Sequence, residues 1–159
     1  MKKTKMLTEA SIIASLYVVL TFAVNLLGLA NGAIQLRLSE ALTVLPAFTF
    51  SAVPGLFVGC VIANLITGAA IWDVVFGSIA TLLGALGTYY LGKKRYLAPI
   101  FPIVANTVII PFVLKYVYDI PGTVWYLCLT VCIGEILSCG VLGTVLYSYI
   151  KKSKLFKKS

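Results

Sequence analysis

Leu38-Ser-Glu-Ala-Leu-Thr-Val-Leu-Pro-Ala-Phe-Thr-Phe50-Ser-Ala-Val-Pro54-Gly-Leu-Phe-Val-Gly-Cys60-Val-Ile-Ala-Asn64-Leu65 is the stretch whose reading decides the fold. As one continuous helix it would leave three membrane crossings before Lys93-Lys94-Arg95. That basic loop and the basic C-terminus would then lie on opposite sides. Broken at Ser51 to Pro54, it becomes two short helices: Leu38 to Phe50, containing Pro46, and Gly55 to about Ile71. Four crossings then precede the basic loop, and two more return the C-terminal lysines to the same side.

The composition makes crossings the right unit of count. Of 159 residues, 60% are hydrophobic and 11% charged, with a mean hydropathy of +1.02. Soluble domains carry about 25% charged residues, and so much apolar surface in 17.1 kDa has no hiding place but lipid. Thirteen Lys and Arg against five Asp and Glu give a formal charge of +8. Eleven of the thirteen fall in three clusters: Lys2, Lys3 and Lys5; Lys93, Lys94 and Arg95; and five Lys after Ile150. Each abuts a long apolar segment, so they read as cytoplasmic ends touching anionic headgroups rather than as a nucleic-acid surface.

Around the deciding stretch, Ala10 to Ala30 supplies the first span. It is longer than the core of a cleaved signal peptide and reads as a retained helix. Residues 33–37 look extended. Trp72 to Leu91 is the fourth span, Leu97 to Val117 the fifth, with Pro99, Pro102 and Pro111 inside it, and Thr123 to Ile150 the sixth. The expectation is an all-α integral membrane protein of one transmembrane domain, 1–159. Six helices cross, both termini are cytoplasmic, and basic tails cover 1–7 and 151–159. The loops 31–37, 67–73 and 115–122 face outward, and the second and third spans are short enough to tilt, thin the bilayer or lie behind neighbours.

Ionisable groups inside spans are costly and therefore functional candidates. Glu40, Asp73 and Glu135 qualify, and Asn64 and Asn106 add buried amides. Arg37 and Glu40 are three apart, so they share a helical face and can form a local ion pair; a paired Arg can still donate outward. Glu135 lies about 18 Å into its helix. It either ties to another helix, through Asn106 or Arg37, or takes two parallel N–H donors such as a guanine-like ring edge offers. Asp73 can cap its helix or touch ligand. Ala10-x-x-x-Ala14 permits close helix approach, within the chain or with a partner.

Cys60, Cys128, Cys132 and Cys139 sit in apolar stretches. With no histidine and no CxxC pair, they suggest small hydrophobes rather than a metal site. There is no phosphate-binding G-x-x-x-x-G-K-[ST] loop, and no Ser-His or metal-His set can be built. The expectation is no enzyme, no cofactor and no metal.

Four motifs carry a family resemblance: Ala33-Ile-Gln-Leu-Arg-Leu-Ser-Glu-Ala-Leu-Thr-Val-Leu-Pro46, Pro54-Gly-Leu-Phe-Val-Gly-Cys-Val-Ile-Ala-Asn64, Asp73-Val-Val-Phe-Gly-Ser-Ile-Ala-Thr-Leu82 and Gly134-Glu135. From about Ala10 to Ile150 the chain resembles the QueT family, the substrate-binding S components of energy-coupling factor (ECF) transporters for queuosine precursors. The resemblance implies external capture of a 7-deazaguanine: the cyano or aminomethyl precursor, or queuine. It also implies docking on a transmembrane coupling subunit that carries two cytoplasmic ATPases. Ala10 and Ala14 would face that subunit, and the 31–37 loop would act as a lid. Glu135 would take the ring N–H and exocyclic amine, Asn106 would add amide bonds, and Arg37 or Gln35 would donate to the carbonyl. Glu40 would orient Arg37, and Asn64 and Asp73 complete the set. The rival readings are an S component for riboflavin, thiamine or biotin, a small homo-oligomeric channel, and an intramembrane enzyme.

Overall fold

The computed structural model describes residues 2–28 and 37–153. Gln35, most of the expected lid and the outermost parts of both tails lie outside the described residues. Helix one runs over Lys2–Leu26 and helix two over Leu38–Ala47. Helix three is Ala52–Ile66, helix four Ile71–Leu91 and helix five Ile100–Tyr116. Helix six is a continuous rod, Val124–Ser153, whose middle, Ile136–Leu142, winds as a π-helix. The break expected between Leu38 and Leu65 is present. Pro54 falls in the first turn of helix three, where a missing N–H costs nothing.

Helix one starts earlier and stops earlier than its apolar run. The basic residues before Ala10 contain no helix breaker, so the helix continues out through them, while Gly28 turns left-handed at φ +70° and ends it. Among the described residues, three rods are long and apolar enough to cross a membrane: Lys3–Leu26, Ile71–Leu91 and Val124–Ser153. The other three are shorter. Helix two is a 3₁₀-helix, so its ten residues still span about 20 Å at 2.0 Å per residue. It is buried along most of its length, from Ser39 to Pro46, and packs on helices one, three, four and six. A short span is tolerable because its neighbours stand between it and lipid.

The bundle is apolar outside, and its interior combines an apolar core around Tyr17, Leu45, Leu56 and Cys60 with a set of buried polar groups. Leu7, Val19, Leu83, Val108, Trp125 and Val145 are all more than half exposed, while Glu40, Thr43, Asn64, Asn106, Glu135 and Ser138 are buried. The apolar exterior suits a lipid solvent, in which the buried polar groups must satisfy one another.

Ala10 and Ala14 point into this bundle. A Cβ placed on Gly55 would lie 2.7 Å from the Ala10 carbonyl oxygen, and one on Gly59 would lie 3.0 Å from Ala14 Cα. The two small pairs let helices one and three touch backbone to backbone. Internal packing therefore occupies the face assigned above to a partner.

Side-chain ties show which helix ends share a face. Thr49, just past helix two, donates to Glu9 near the start of helix one at 3.0 Å. The Phe48 ring lies 4.7 Å from that of Tyr147, and the Tyr147 hydroxyl donates to the Lys93 carbonyl at 2.6 Å. The basic start of helix one, the basic loop after helix four and the basic end of helix six thus gather at one end.

Candidate functional site

At the opposite end lies a cavity of about 360 Å³, within the range of small-molecule sites. Helix one contributes Thr21 and Asn25 near its C-terminus. Arg37 and Ser39 lead into helix two, Asn64 and Thr67 come from the end of helix three, and Asp73 from the start of helix four. Ile110 and Leu114 of helix five and Tyr118 just beyond it close the wall.

Local chain geometry aims several of these groups. Helix three ends in a Schellman motif: Gly68, at φ +72°, donates to the Leu65 carbonyl at 3.2 Å, and Ala69 to that of Asn64 at 2.9 Å. The chain thereby turns at once into helix four, leaving Asn64 and Asp73 on either side of Gly77. A Cβ on Gly77 would stand 3.3 Å from Asn64 Nδ2 and 3.5 Å from Asp73 Oδ1. Beyond helix five, Asp119 takes the left-handed conformation at φ 48°, which Asp tolerates better than most residues. Tyr118 beside it reaches back to helix four. Its hydroxyl donates to Asp73 Oδ2 at 3.0 Å and accepts from the Ala70 N–H at 3.0 Å.

Two ionisable cavity groups lie outside the spanning segments. Partial burial, helped by the neighbouring Asp73 carboxylate, pushes the Tyr118 hydroxyl above its ordinary value, against the lowering effect of the Ala70 N–H. It is therefore a neutral O–H donor at physiological pH. Burial works against the Arg37 charge, but the neighbouring acids, Asp73 first and then Glu40, outweigh it and hold the guanidinium protonated. Among the described residues, the cavity thus presents the Asp73 carboxylate, the Arg37 cation, the Tyr118 phenol, the amides of Asn25 and Asn64 and the hydroxyls of Thr21, Ser39 and Thr67 to whatever occupies it.

Glu40 and Glu135 belong to a separate buried cluster. Glu40 accepts from the Tyr17 hydroxyl through Oε1 and from Asn106 Nδ2 at 3.4 Å through Oε2. Oxygens of Glu40 and Glu135 and the Sγ of Cys139 all lie within 4.8 Å of one another. Cys139 Sγ is 3.2 Å from Glu135 Oε2 and 3.3 Å from the Glu40 carbonyl oxygen, and Thr43 Oγ1 is 3.4 Å away. Two carboxylates and a thiol are a ligand set for a metal, but Glu40 already accepts from a phenol and an amide. The π-helical turn begins directly after Glu135 and carries Ser138 and Cys139 toward helix two. There the Ser138 hydroxyl accepts from the Arg37 backbone N–H at 3.2 Å, tying this cluster to the cavity wall.

The structure therefore divides the residues singled out from sequence. Arg37, Asn64 and Asp73 line the cavity; Glu40, Asn106 and Glu135 do not. Glu40 accepts hydrogen bonds from Tyr17 and Asn106, and Asn106 also reaches Glu135, the tie between helices five and six that the sequence allowed. Tyr17, Ser39, Tyr118 and the helix-two partners of Cys139 went unmarked by sequence reasoning. Tyr118 had one legible signal, a polar aromatic beside a turn. Tyr17 had none, sitting in an unbroken apolar helix.

The family of QueT transporters matches the chain over residues 7–152. A curated relative, the queuosine precursor transporter QueT of Lactococcus lactis subsp. cremoris (strain MG1363), is 34% identical over 85 residues, 52% of this chain and 50% of the relative. The chain spans about half the length of the curated relative it matches. No solved structure matches the chain. The family match runs from Leu7 to Lys152, through all six described helices, and a transporter needs no catalytic set: the chain belongs to the QueT transporter family.

Proposed function

We propose that this chain is the substrate-capturing subunit of an ATP-driven importer of the energy-coupling factor type, taking up a queuosine precursor. The observation that carries the reading is the polar cavity at the end opposite every basic cluster. With the basic ends cytoplasmic, the cavity opens outward, where an importer must collect its ligand. Both termini are then cytoplasmic. ATP hydrolysis falls to two cytoplasmic ATPases joined through a coupling subunit, since the chain carries no phosphate-binding loop.

A 7-deazaguanine fits the chemistry of the cavity. Its ring N–H and exocyclic amine form a paired donor edge for a carboxylate, and its carbonyl needs a donor. Asp73 is the carboxylate of the cavity wall, with Tyr118 fixing Oδ2 and leaving Oδ1 for the ligand. Arg37 supplies the donor to the carbonyl, and Asn64 adds an amide. Glu135, Glu40 and Asn106 act behind the wall, holding helices two, five and six together beside the Ser138–Arg37 contact. This transfers the ring-reading role from Glu135 to Asp73.

The test is binding to the purified chain in detergent, by calorimetry, with guanine, three 7-deazaguanines, riboflavin, thiamine and biotin. One deazaguanine should bind saturably and far more tightly than guanine. Asp73→Asn should cost about 10- to 100-fold in affinity, roughly the worth of a charge-assisted hydrogen bond, whereas Glu135→Gln should cost much less. The reverse order would put the ring edge in the buried cluster. Failure of every deazaguanine would remove the substrate class.

A further inference from the structure

A second pocket, of about 310 Å³, opens on the basic face, lined by Arg95, Tyr147, Ser148, Lys151 and Lys152. Its floor is well tied down. The Tyr147 hydroxyl is bonded to the Lys93 carbonyl, its ring lies against Phe48, and the Ser148 hydroxyl donates to the Thr144 carbonyl at 2.7 Å. The Arg95 guanidinium sits 5.5 Å from the centroid of the Tyr96 ring, a cation–π placement that fixes its direction. Three cations therefore converge with no carboxylate among the described lining residues. Asp73 and Glu135 belong to the cavity wall and the buried cluster, and Glu9 is engaged by Thr49.

Convergent cations without a counter-ion call for an anion, and the surroundings say which kind. Tyr90, Tyr96 and Tyr149 are 65%, 73% and 66% exposed. Amphipathic rings of this sort mark headgroup depth. Leu91 at the end of helix four and Val145 in the C-terminal part of helix six are exposed as well, apolar surface suited to acyl chains. A soluble phosphate would have no use for that surface. We propose that this pocket holds the phosphodiester headgroup of one anionic phospholipid, of the phosphatidylglycerol class, as a resident lipid clamped between the helix-four loop and the end of helix six. The inference does not depend on the substrate reading.

The test is native mass spectrometry of the full chain released from nanodiscs of equal phosphatidylglycerol and phosphatidylcholine. One phosphatidylglycerol should remain bound, with preference over phosphatidylcholine. In Arg95→Gln/Lys151→Gln/Lys152→Gln that preference should fall about 100-fold, roughly fivefold for each cation. Lys3→Gln/Lys5→Gln/Lys115→Gln removes equal charge away from the pocket and should leave retention near the parent's. Equal loss in both triple variants, or equal retention of the two lipids by the parent, would overturn the site. Displacement by glycerol phosphate at an affinity matching the lipid's would make it a soluble-phosphate site. Tighter binding of an oligoglutamate peptide at the same residues would make it a protein-docking surface. Either result would overturn the lipid assignment.

Discussion

Gly59→Ala tests the backbone contact between helices one and three and, through it, the buried polar cluster. The new methyl carbon would sit 2.9 Å from Tyr17 Cβ, 3.0 Å from Ala14 Cα and 3.0 Å from the Ala14 carbonyl oxygen. Two of these three atoms are backbone and cannot rotate away, so the helices must part. Overpacking of this kind costs about 1–3 kcal/mol. Tyr17 also carries the hydroxyl that donates to Glu40, and withdrawing a donor from a buried acceptor adds about 1–3 kcal/mol. Because relaxation divides the strain between the two, a total of about 2–4 kcal/mol is expected. The assay is reversible unfolding in mixed detergent–SDS micelles followed by circular dichroism, with Val58→Leu on the outward face as a control expected within about 0.5 kcal/mol of the parent. Tyr17→Phe isolates the second contribution, and the double variant should cost less than the sum of the singles because both act on one contact. A Gly59→Ala chain as stable as the parent would refute the packing argument. It would return Ala10 and Ala14 to the surface role that the family resemblance implies.

Three further expectations use other parts of the molecule. Tyr118→Phe removes the donor to Asp73 and the acceptor for Ala70 and should weaken deazaguanine binding about five- to tenfold with little change in unfolding; unchanged calorimetric affinity would separate Asp73 from the ligand. Asn106→Leu strips Glu40 of its amide donor and should lower stability by about 1–3 kcal/mol, read in the same micelle assay. For topology, single cysteines at Lys5, Lys94 and Ser153 in a variant lacking the native cysteines should all be labelled from the cytoplasmic side by an impermeant maleimide. A cysteine at Gly122 should be labelled from the other side, and a split among the first three would break the six-crossing reading.

Membrane residence was legible because it depends on composition alone, and the expectation of six crossings rests on a side rule for basic clusters that needs no tertiary contact. The break at Ser51 to Pro54 followed from proline chemistry, which is local. Nothing local distinguished a 3₁₀ from an α winding in Leu38–Ala47, since that choice is set by burial on all sides among helices one, three, four and six. The motifs and their family were likewise written in the chain, and three of the polar residues they contain, Arg37, Asn64 and Asp73, do share a wall.

Partnership among the acids was a different kind of question. Spacing allowed Glu40 to meet Arg37, yet its carboxylate meets Tyr17 and Asn106, residues 23 and 66 positions away. Ala10 and Ala14 could serve any close helix, and only the positions of Gly55 and Gly59 assigned them to helix three. Sequence determined which residues are too polar or too small to be accidental in lipid, because that cost belongs to each residue singly. Which of them face one another, and so which carboxylate reaches the cavity, was decided by tertiary structure, because hydrogen bonds and close packing depend on distances that only the folded bundle sets.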